Sequence, residues 1–321
     1  MFRVPEALEA ADQPGKIYRI GTAEFSTEPA TALRATFRRA LNELGWIDGQ
    51  NIRFETRCCA AGNVGRLEEF VAQLVAENVD LLFVASPHAA RAAQAATKRI
   101  PIVFAAVSYP VELGLVSSLS RPGGNITGVS QFAGVPGQFV GKQIQLIKEM
   151  IQKPSPVVGV LINPNNPVNQ RLDLPRLAAE LEDQTGAAVR LFHVRSAGDF
   201  AGAFGEAKRD RVDAVVITGD PIAFAQRRAI ADLAAQHRVP AIYYFRDHAE
   251  AGGLMTYGAD LHDIMRRGAV YVDKVLRGAN PGDIPVEQAS KFALVINTKT
   301  AQALGLVIPR SLLVRADEII Q

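Results

Sequence analysis

Apolar and polar residues follow two different periods along this chain. Between residues 16 and 107, short apolar runs alternate with stretches whose apolar positions recur every three to four residues, such as Leu33, Phe37 and Leu41. Short apolar runs bounded by turn formers predict buried strands, and the longer period predicts amphipathic helices. This alternation predicts an α/β fold with a parallel sheet and helices on both of its faces.

The sequence contains an internal repeat. Residues 79–105 and residues 212–245 each contain Val-Asp, an apolar run, a capping residue before proline, a helical stretch, Ile-Pro or Val-Pro, and a second apolar run. The capping pairs are Ser86-Pro87 and Asp220-Pro221. Each copy predicts a strand, a helix that begins at once, and a parallel strand. Two copies in separate halves predict two similar lobes.

The order of the elements also predicts how the lobes are connected. Residues 1–15 are predicted to be a loose arm, and the turn-rich segment 121–128 is interpreted as the passage to the second lobe, where the pattern restarts. The short elements after residue 252 are too small for a third domain, so we expect the chain to return to the first lobe and then to finish the second. The predicted domains are 16–128 with 253–287, and 129–252 with 288–321. Multiple crossings form a hinge between lobes.

Composition excludes several classes of function. The chain of 321 residues has a net charge of +2 with mixed charges, which argues against a nucleic-acid partner. Its two cysteines, Cys58 and Cys59, are adjacent, so they are not expected to bridge each other, and no spacing typical of a zinc site occurs. The first 16 residues lack the apolar region of a secretory signal, which taken alone predicts a cytosolic protein.

Enzyme motifs fail when they are tested. The turn after the first strand, GTAEFSTEPA, lacks the glycines of a dinucleotide fingerprint, and GVPGQFVGKQ at 134–143 departs from a P-loop at two positions. The five histidines do not cluster in sequence. The sequence therefore predicts a protein that is not an enzyme and that needs no cofactor and no metal.

Polar residues follow several predicted strands, at the sheet edge where open parallel sheets bind ligands. Many of them precede a proline that opens a helix, and helix N-termini favour carboxylates or phosphates. An alternative interpretation is that these residues only cap helices, and that His88 is an exposed residue of a first turn. The candidates for ligand binding are Ser86, Pro87, His88, Ser108, Tyr109, Asn163, Asn165, Asn166 and Asp220.

Acidic and aromatic side chains at strand ends complete the candidate site. Glu24 and Asp220 could each accept a hydrogen bond from a ligand ammonium, although Glu24 could as easily be a solvated loop residue and Asp220 could serve only as a helix cap. Aromatic walls with a few polar groups are typical of small-molecule pockets. Because alternate side chains of a strand face opposite sides, at least one residue of 243–245 is expected to be plain core. The aromatic ligand-binding candidates are Phe25, Tyr109, Tyr243 and Phe245.

Longer stretches carry a resemblance to a known family. Examples are FRRALNELGWIDGQNI at 37–52, ELGLVSSLSRPGGNITGVS at 112–130, GVLINPNNPVN at 159–169, and the long segment 271–320. Together with residues 79–107, they resemble the tryptophan/tyrosine-type substrate-binding proteins of ABC transporters over residues 15–320.

The resemblance implies a type I periplasmic-binding fold, in which two Rossmann-like lobes joined by three crossings hold a ligand in a cleft. It also implies an exported protein, here without its signal, that is monomeric and passes its ligand to ABC permease and ATPase subunits. Where many relatives have Asp-Pro, this chain has Tyr109-Pro110. That change removes a carboxylate and favours a ligand without an ammonium group, such as an aromatic or aliphatic carboxylate.

Three other functions share this architecture. A ligand-sensing receptor subunit could use the same binding domain, and neighbouring permease and ATPase genes would favour transport over it. The effector core of a repressor would need an N-terminal DNA-binding domain, for which the residues before the first strand are too few. A cytosolic enzyme would need an assembled catalytic group.

Overall fold

The computed structural model describes residues 15–24, 32–58, 65–132 and 137–321. The predictions for the N-terminal arm, Phe25 and Cys59 lie outside these residues, except that Gly15, the last residue of the arm, is described as part of a turn. The chain divides into two compact units, Met1–Ala133 with Leu261–Ala289, and Gly134–Asp260 with Ser290–Gln321. The chain therefore passes between the units three times.

The first unit is built on a six-stranded sheet in the described part of the chain, and all of its strand pairs are parallel. The spatial order is β11-β5-β4-β3-β1-β2. Its strands are β1 (Tyr18–Glu24), β2 (Ile52–Cys58), β3 (Leu81–Val84), β4 (Ile102–Ser108), β5 (Ile126–Phe132) and β11 (Glu287–Gln288). Its helices are α1 (Ala32–Glu43), α2 (Arg66–Ala76), α3 (Pro87–Ala96) and α10 (Leu261–Leu276).

Helices cover both faces of this sheet. On one face a Cβ at Gly268 of α10 would lie 3.0 Å from the ring of Phe83, which also stacks on Phe37 of α1. On the other face Leu74 of α2 and Leu82 of β3 both lie against Gly21. These buried side chains come from the periodic positions of the sequence, so the pattern places the core correctly.

The second unit has a seven-stranded sheet in the order β13-β12-β10-β9-β8-β6-β7. All of its strand pairs are parallel except β10 with β12. Its strands are β6 (Val157–Ile162), β7 (Ala188–His193), β8 (Ala214–Ile217), β9 (Ala241–Tyr243), β10 (Met255–Ala259), β12 (Phe292–Asn297) and β13 (Glu318–Ile320). Its helices are α4 (Gln138–Ile151), α5 (Leu174–Thr185), α6 (Asp199–Arg209), α7 (Pro221–Ala225), α8 (Arg227–His237), α9 (Asp247–Glu250), α11 (Thr298–Ala303) and α12 (Arg310–Arg315).

Alternate residues of each central strand enter two different cores. Val216 of β8 packs in the core formed with α4 and α5, whereas Val215 and Ile217 pack in the core formed with α6 and α8. Strands buried on both faces read as continuous apolar runs. This explains why the repeated passage could be recognised in the sequence.

Three details differ from the sequence prediction. Residues 126–128, interpreted as part of a passage between lobes, belong to β5, where Gly128 at a φ of 154° lies against the backbone of Phe104. Residues 129–132 and 288–289, expected in the second lobe, therefore belong to the first unit, because β5 pairs with β4 and β11. Residues 253–260, expected in the first lobe, belong to the second unit because β10 pairs with β9 and β12. The single helix expected at 222–237 is interrupted at Gln226.

The repeated passage forms the same structure in both units. In the first, β3, α3 and β4 follow one another, and β3 and β4 pair in parallel. In the second, β8, the helices α7 and α8, and β9 do the same. The fold is thus α/β with two parallel-sheet lobes of type I periplasmic-binding architecture, as the sequence predicts.

Candidate functional site

The carboxyl end of β3 holds the first group of candidates. Ser86 caps α3 by accepting a hydrogen bond from the backbone N–H of Ala89 at 3.2 Å, and Pro87 opens the helix. Both Ser86 and His88 are buried. The expectation of an exposed His88 is therefore wrong: the first turn of α3 is covered, because the helix is apolar nearly all round.

The tip of β4 is the second group, and its backbone is unusual. Tyr109 has a φ of 55°, and Ala106, inside the strand, has a φ of 52°. The Tyr109 N–H donates to the carbonyl oxygen of Phe132 at 2.8 Å, and the two rings pack edge to face with centroids 5.5 Å apart. Residues without glycine's freedom rarely adopt a positive φ, and such strain concentrates at functional sites.

Tyr109 is a neutral donor at physiological pH. Burial raises the pKa of its phenol above the ordinary value, and the nearby charge of Glu112 raises it further. Both effects disfavour the phenolate. The side chain can therefore donate an O–H to a ligand oxygen, and a carboxylate is the strongest acceptor that such a donor meets.

Glu24 already has a partner. It forms an ion pair with Arg34 of α1, whose guanidinium also lies 3.7 Å from the sulfur of Cys58. Burial lowers the pKa of Arg34, but hydrogen bonding and charge interaction with Glu24 outweigh it and raise the pKa. Burial and the negative charge of Glu24 raise the pKa of the Cys58 thiol, against the lowering effect of Arg34. Glu24 thus serves this cluster, which the sequence did not predict.

The strand ends of the second unit form one buried network. Asp220, which follows β8, accepts hydrogen bonds from the side-chain amides of Asn163 at 3.1 Å and Asn166 at 2.8 Å through the same oxygen. Its other carboxylate oxygen accepts from the N–H of Ile222 at 2.8 Å and caps α7. Asp220 is therefore a helix cap, as one interpretation of the sequence predicts, and also the centre of a polar cluster; its contact with a ligand stays a prediction.

The asparagines of this network also fix the loop after β6. The side-chain oxygen of Asn163 accepts from the N–H of Asn165 at 2.9 Å, and that of Asn166 accepts from the N–H of Val168 at 3.0 Å. Local bonds of this kind are the reason that asparagine favours turns. Asn165 contributes its backbone N–H to this loop, and its predicted contact with a ligand stays a prediction.

The aromatic residues at the end of β9 divide between the core and the end of the strand. Tyr243 is fully buried in the core formed with α6 and α8, and its ring stacks on His248 with centroids 4.8 Å apart. The prediction that one aromatic of this run is plain core fits Tyr243. Tyr244, which the sequence did not select, packs against Gly219, the residue before Asp220.

Phe245 faces a second aromatic ring at the same strand end. It packs edge to face on Phe224 of α7 with centroids 5.1 Å apart, and the guanidinium of Arg227 lies 5.5 Å from the Phe224 ring centroid. Phe224 and Arg227 are half-buried. Neither residue was among the candidates predicted from the sequence, although both lie within seven residues of Asp220.

Gln131 and Phe132 were missed for a different reason. Both end β5, next to the tip of β4, but the turn-forming residues at 121–128 had been interpreted as a passage between lobes. The β-branched residues Ile126, Thr127 and Val129 were the signal that could have identified this strand.

Residues 15–24, 32–58, 65–132 and 137–321 contain no group of three or more histidine, cysteine, aspartate or glutamate side chains that could hold a metal ion. Over the same ranges, no helix has the length and apolar character needed to cross a bilayer.

Comparison with known proteins identifies relatives along almost the whole chain. The family model described as ABC transporter substrate binding protein matches residues 20–320. A curated tyrosine-binding protein of Clostridioides difficile is 26% identical over 288 residues, which are 89% of this chain and 81% of that protein.

Solved structures show the same fold. An ABC domain from Streptococcus pneumonia in complex with L-Trp has a TM-score of 0.84 and 28% identity, with 95% of this chain and 100% of that chain covered. A conserved domain protein from Vibrio cholerae has the same TM-score and identity, with 94% and 99% covered. These likenesses extend over both units, as the family model does. The chain belongs to the family of ABC transporter substrate-binding proteins.

Proposed function

We propose that this protein is the solute-binding subunit of an ABC importer and that its solute is a small aromatic or aliphatic carboxylate, with or without an amino group. One observation carries the proposal: each unit places buried polar groups at the carboxyl ends of adjacent parallel strands, the position where open α/β sheets bind ligands. In the second unit these groups are Asn163, Asn166 and Asp220.

The second unit offers fixed acceptors. One oxygen of Asp220 accepts two amide hydrogen bonds, whereas the other accepts one backbone N–H and keeps a free lone pair. A ligand N–H or O–H would use this lone pair without breaking the network. Because the amides already hold the carboxylate in place, binding would cost little side-chain ordering.

The first unit offers donors. Ser86 lies at the start of α3, where backbone N–H groups favour a negative charge, and the neutral phenol of Tyr109 lies at the tip of the next strand. A ligand carboxylate suits such an edge. Tyr109 stands where many relatives have an aspartate, so an ammonium group would find no acid at this position.

Two relatives support the aromatic class. The related proteins are a tyrosine-binding protein and a domain in complex with L-Trp. Phe224 and Phe245 at the strand ends of the second unit could pack on an aromatic body. We propose that this protein binds ligands with the same kind of aromatic or aliphatic body, but that it prefers those without an ammonium group.

Isothermal titration calorimetry tests the ligand class with matched pairs. L-Tryptophan is compared with indole-3-propionate, and L-tyrosine with 3-(4-hydroxyphenyl)propionate, on protein that has been unfolded and refolded to remove bound solute. We expect the deaminated member of at least one pair to bind at least tenfold more tightly. Tight binding of the amino acids with no binding of their analogues would contradict the preference for carboxylates.

The proposal includes how the ligand is handled. The two units would close on the solute about the three chain crossings, and the solute would leave chemically unchanged to ABC permease and ATPase subunits. We propose a monomeric, periplasmic protein. Chromatography after long incubation checks that the ligand is intact, and turnover would contradict the proposal. Light scattering checks the monomeric state, which oligomers would contradict. Osmotic-shock release from cells expressing the full gene checks the periplasmic location, which retention in the cytosol would contradict.

A further inference from the structure

Gln131 is a buried polar side chain without a partner. Its exposed fraction is 7%, and its amide nitrogen is fully enclosed yet donates to no described residue. The amide oxygen is not among the buried side-chain atoms that lack a partner. Native proteins pair nearly all buried donors, and each exception calls for an explanation.

The other polar side chains of β5 make the exception clear. The hydroxyl of Thr127 donates to the carbonyl oxygen of Ile284 at 2.7 Å. The hydroxyl of Ser130 lies 2.9 Å from the carbonyl oxygen of Val107 and is buried. The strand therefore satisfies its internal polar groups, and Gln131 alone among these three has a donor left over.

The position of Gln131 in the sheet indicates what could accept a hydrogen bond from its amide nitrogen. It is the second-last residue of β5, whose final residue, Phe132, lies in register with Ser108 and accepts the N–H of Tyr109 at 2.8 Å. The carboxyl ends of β4 and β5 thus bring Gln131 to the edge where Tyr109 ends its strand. This is the edge of the first unit to which the proposed function assigns the ligand.

We propose that Gln131 is a ligand-binding residue whose amide N–H donates to an oxygen of the bound solute. This rests on the proposed function and adds a residue and a chemistry to it. An amide nitrogen can only donate, so its partner must be an acceptor such as a carboxylate or hydroxyl oxygen. With the Tyr109 phenol, Gln131 gives this edge a second neutral donor.

The test uses Gln131→Met, which keeps the length of the side chain and removes the amide. The matched control is Gln143→Met, because Gln143 is a fully buried glutamine of α4 whose amide donates to the carbonyl oxygen of Tyr257 at 3.0 Å. Calorimetry with indole-3-propionate and L-tryptophan gives the dissociation constants, and thermal unfolding without ligand gives Tm. Gln131→Ala replaces the Met variant if that variant does not fold.

We expect Gln131→Met to weaken binding of the tighter probe at least tenfold while the Tm of the free protein stays the same or rises, because an unpaired buried amide is removed. We expect Gln143→Met to leave the dissociation constant within twofold, because Gln143 lies on α4 and not at a strand end. Unchanged affinity in Gln131→Met, or equal losses of affinity in both variants, would overturn the assignment of Gln131. Absence of binding to the wild type by every compound of the titration panel would instead overturn the proposed function, and the assignment with it.

Discussion

The strand-end edges of the two units differ in how their polar groups are satisfied. In the second unit, Asp220, Asn163 and Asn166 bond to one another and to the backbone, so these three side chains are paired without a ligand. In the first unit, the buried amide nitrogen of Gln131 donates to no residue that the structure describes, and Tyr109 has a φ of 55°. The polar groups after β6 and β8 are thus held by their own residues, whereas the tip of β5 carries a buried donor that no described residue pairs.

Backbone strain follows the same division. Six described residues other than glycine have a positive φ. Four of these six come just after the end of a helix, where a left-handed conformation is common. The exceptions are Ala106 and Tyr109, which lie in and just after β4 of the first unit. Strain inside a strand persists only where its surroundings hold it, so this edge is the more costly one to form.

The largest expected effect tests whether the second edge is as rigid as its bonds indicate. A Cβ at Gly258 would lie 1.8 Å from the carbonyl oxygen of Tyr244, a backbone atom that cannot move without shifting β9. We expect Gly258→Ala to lower the free energy of unfolding by about 4 kcal/mol or more. Urea unfolding followed by circular dichroism measures it.

Gly202 of α6 supplies the control for that substitution. No atom lies within 4 Å of a Cβ added there, so Gly202→Ala is expected to stabilise the protein by about 0.5–1 kcal/mol through helix propensity. Similar unfolding free energies for the two variants would show that the close approach to Tyr244 is absent in solution.

The next effect compares the two helix caps directly. Asp220→Ala removes a cap and strands two amide donors, and we expect a loss of about 3 kcal/mol in unfolding free energy. Ser86→Ala removes only the cap of α3, and we expect about 1 kcal/mol. Urea titrations of both variants test the ratio, and equal losses would mean that the asparagine amides do not depend on Asp220.

Acid is expected to weaken the second unit selectively. Burial lowers the pKa of His248 to about 4, because the imidazole is enclosed and cannot be hydrated when charged. The unfolded chain takes up this proton near its ordinary pKa of 6.5, so stability is full above that pH and falls as the pH drops from about 6.5 toward 4. We expect a loss of about 2 kcal/mol between pH 7 and pH 5.

His248→Phe keeps the aromatic stacking with Tyr243 and removes the proton site. The pH dependence of unfolding, measured in urea at pH 7, 6 and 5, should flatten by about the same 2 kcal/mol. The single tryptophan, Trp46, lies in the first unit and reports on that unit by fluorescence. An unchanged slope in the variant would assign the acid sensitivity to another group.

The smallest effect concerns the strain in β4. Ala106→Gly relieves a φ of 52° that alanine adopts unfavourably, and we expect a gain of about 1 kcal/mol in unfolding free energy. The neighbour Ala105 is fully buried and has no positive φ, so Ala105→Gly should destabilise by a similar amount. Thermal unfolding of both variants measures these changes in stability. A loss of stability in Ala106→Gly would show that the backbone at this position is not strained.

The repeated passage explains how much of the fold could be predicted. Strands such as β3 and β8 are buried on both faces, so they appear as apolar runs next to a cap and a proline. β5 could not be recognised because Thr127 and Gly128 resemble a turn, whereas Gly128 is required by the approach of Phe104. β10 belongs to the second unit because it pairs with β9 and β12, and no local sequence pattern shows which strands will pair.

The site divides in the same way. The sequence identified Ser86 and Asp220 because a cap before proline is a local signal. It could not show that Asp220 also holds two asparagine amides, because those contacts join residues more than 50 positions apart. Gln131 was missed because its missing partner becomes visible only when the packing around it is known.

Calorimetric titration of the solute-free wild-type protein with indole-3-propionate decides whether this protein binds a small carboxylate. We expect saturable binding with one ligand per chain, recovery of the ligand unchanged, and a negative heat-capacity change from burial of its apolar body. Absence of binding by this compound and by the other members of the panel, or conversion of any of them, would contradict it.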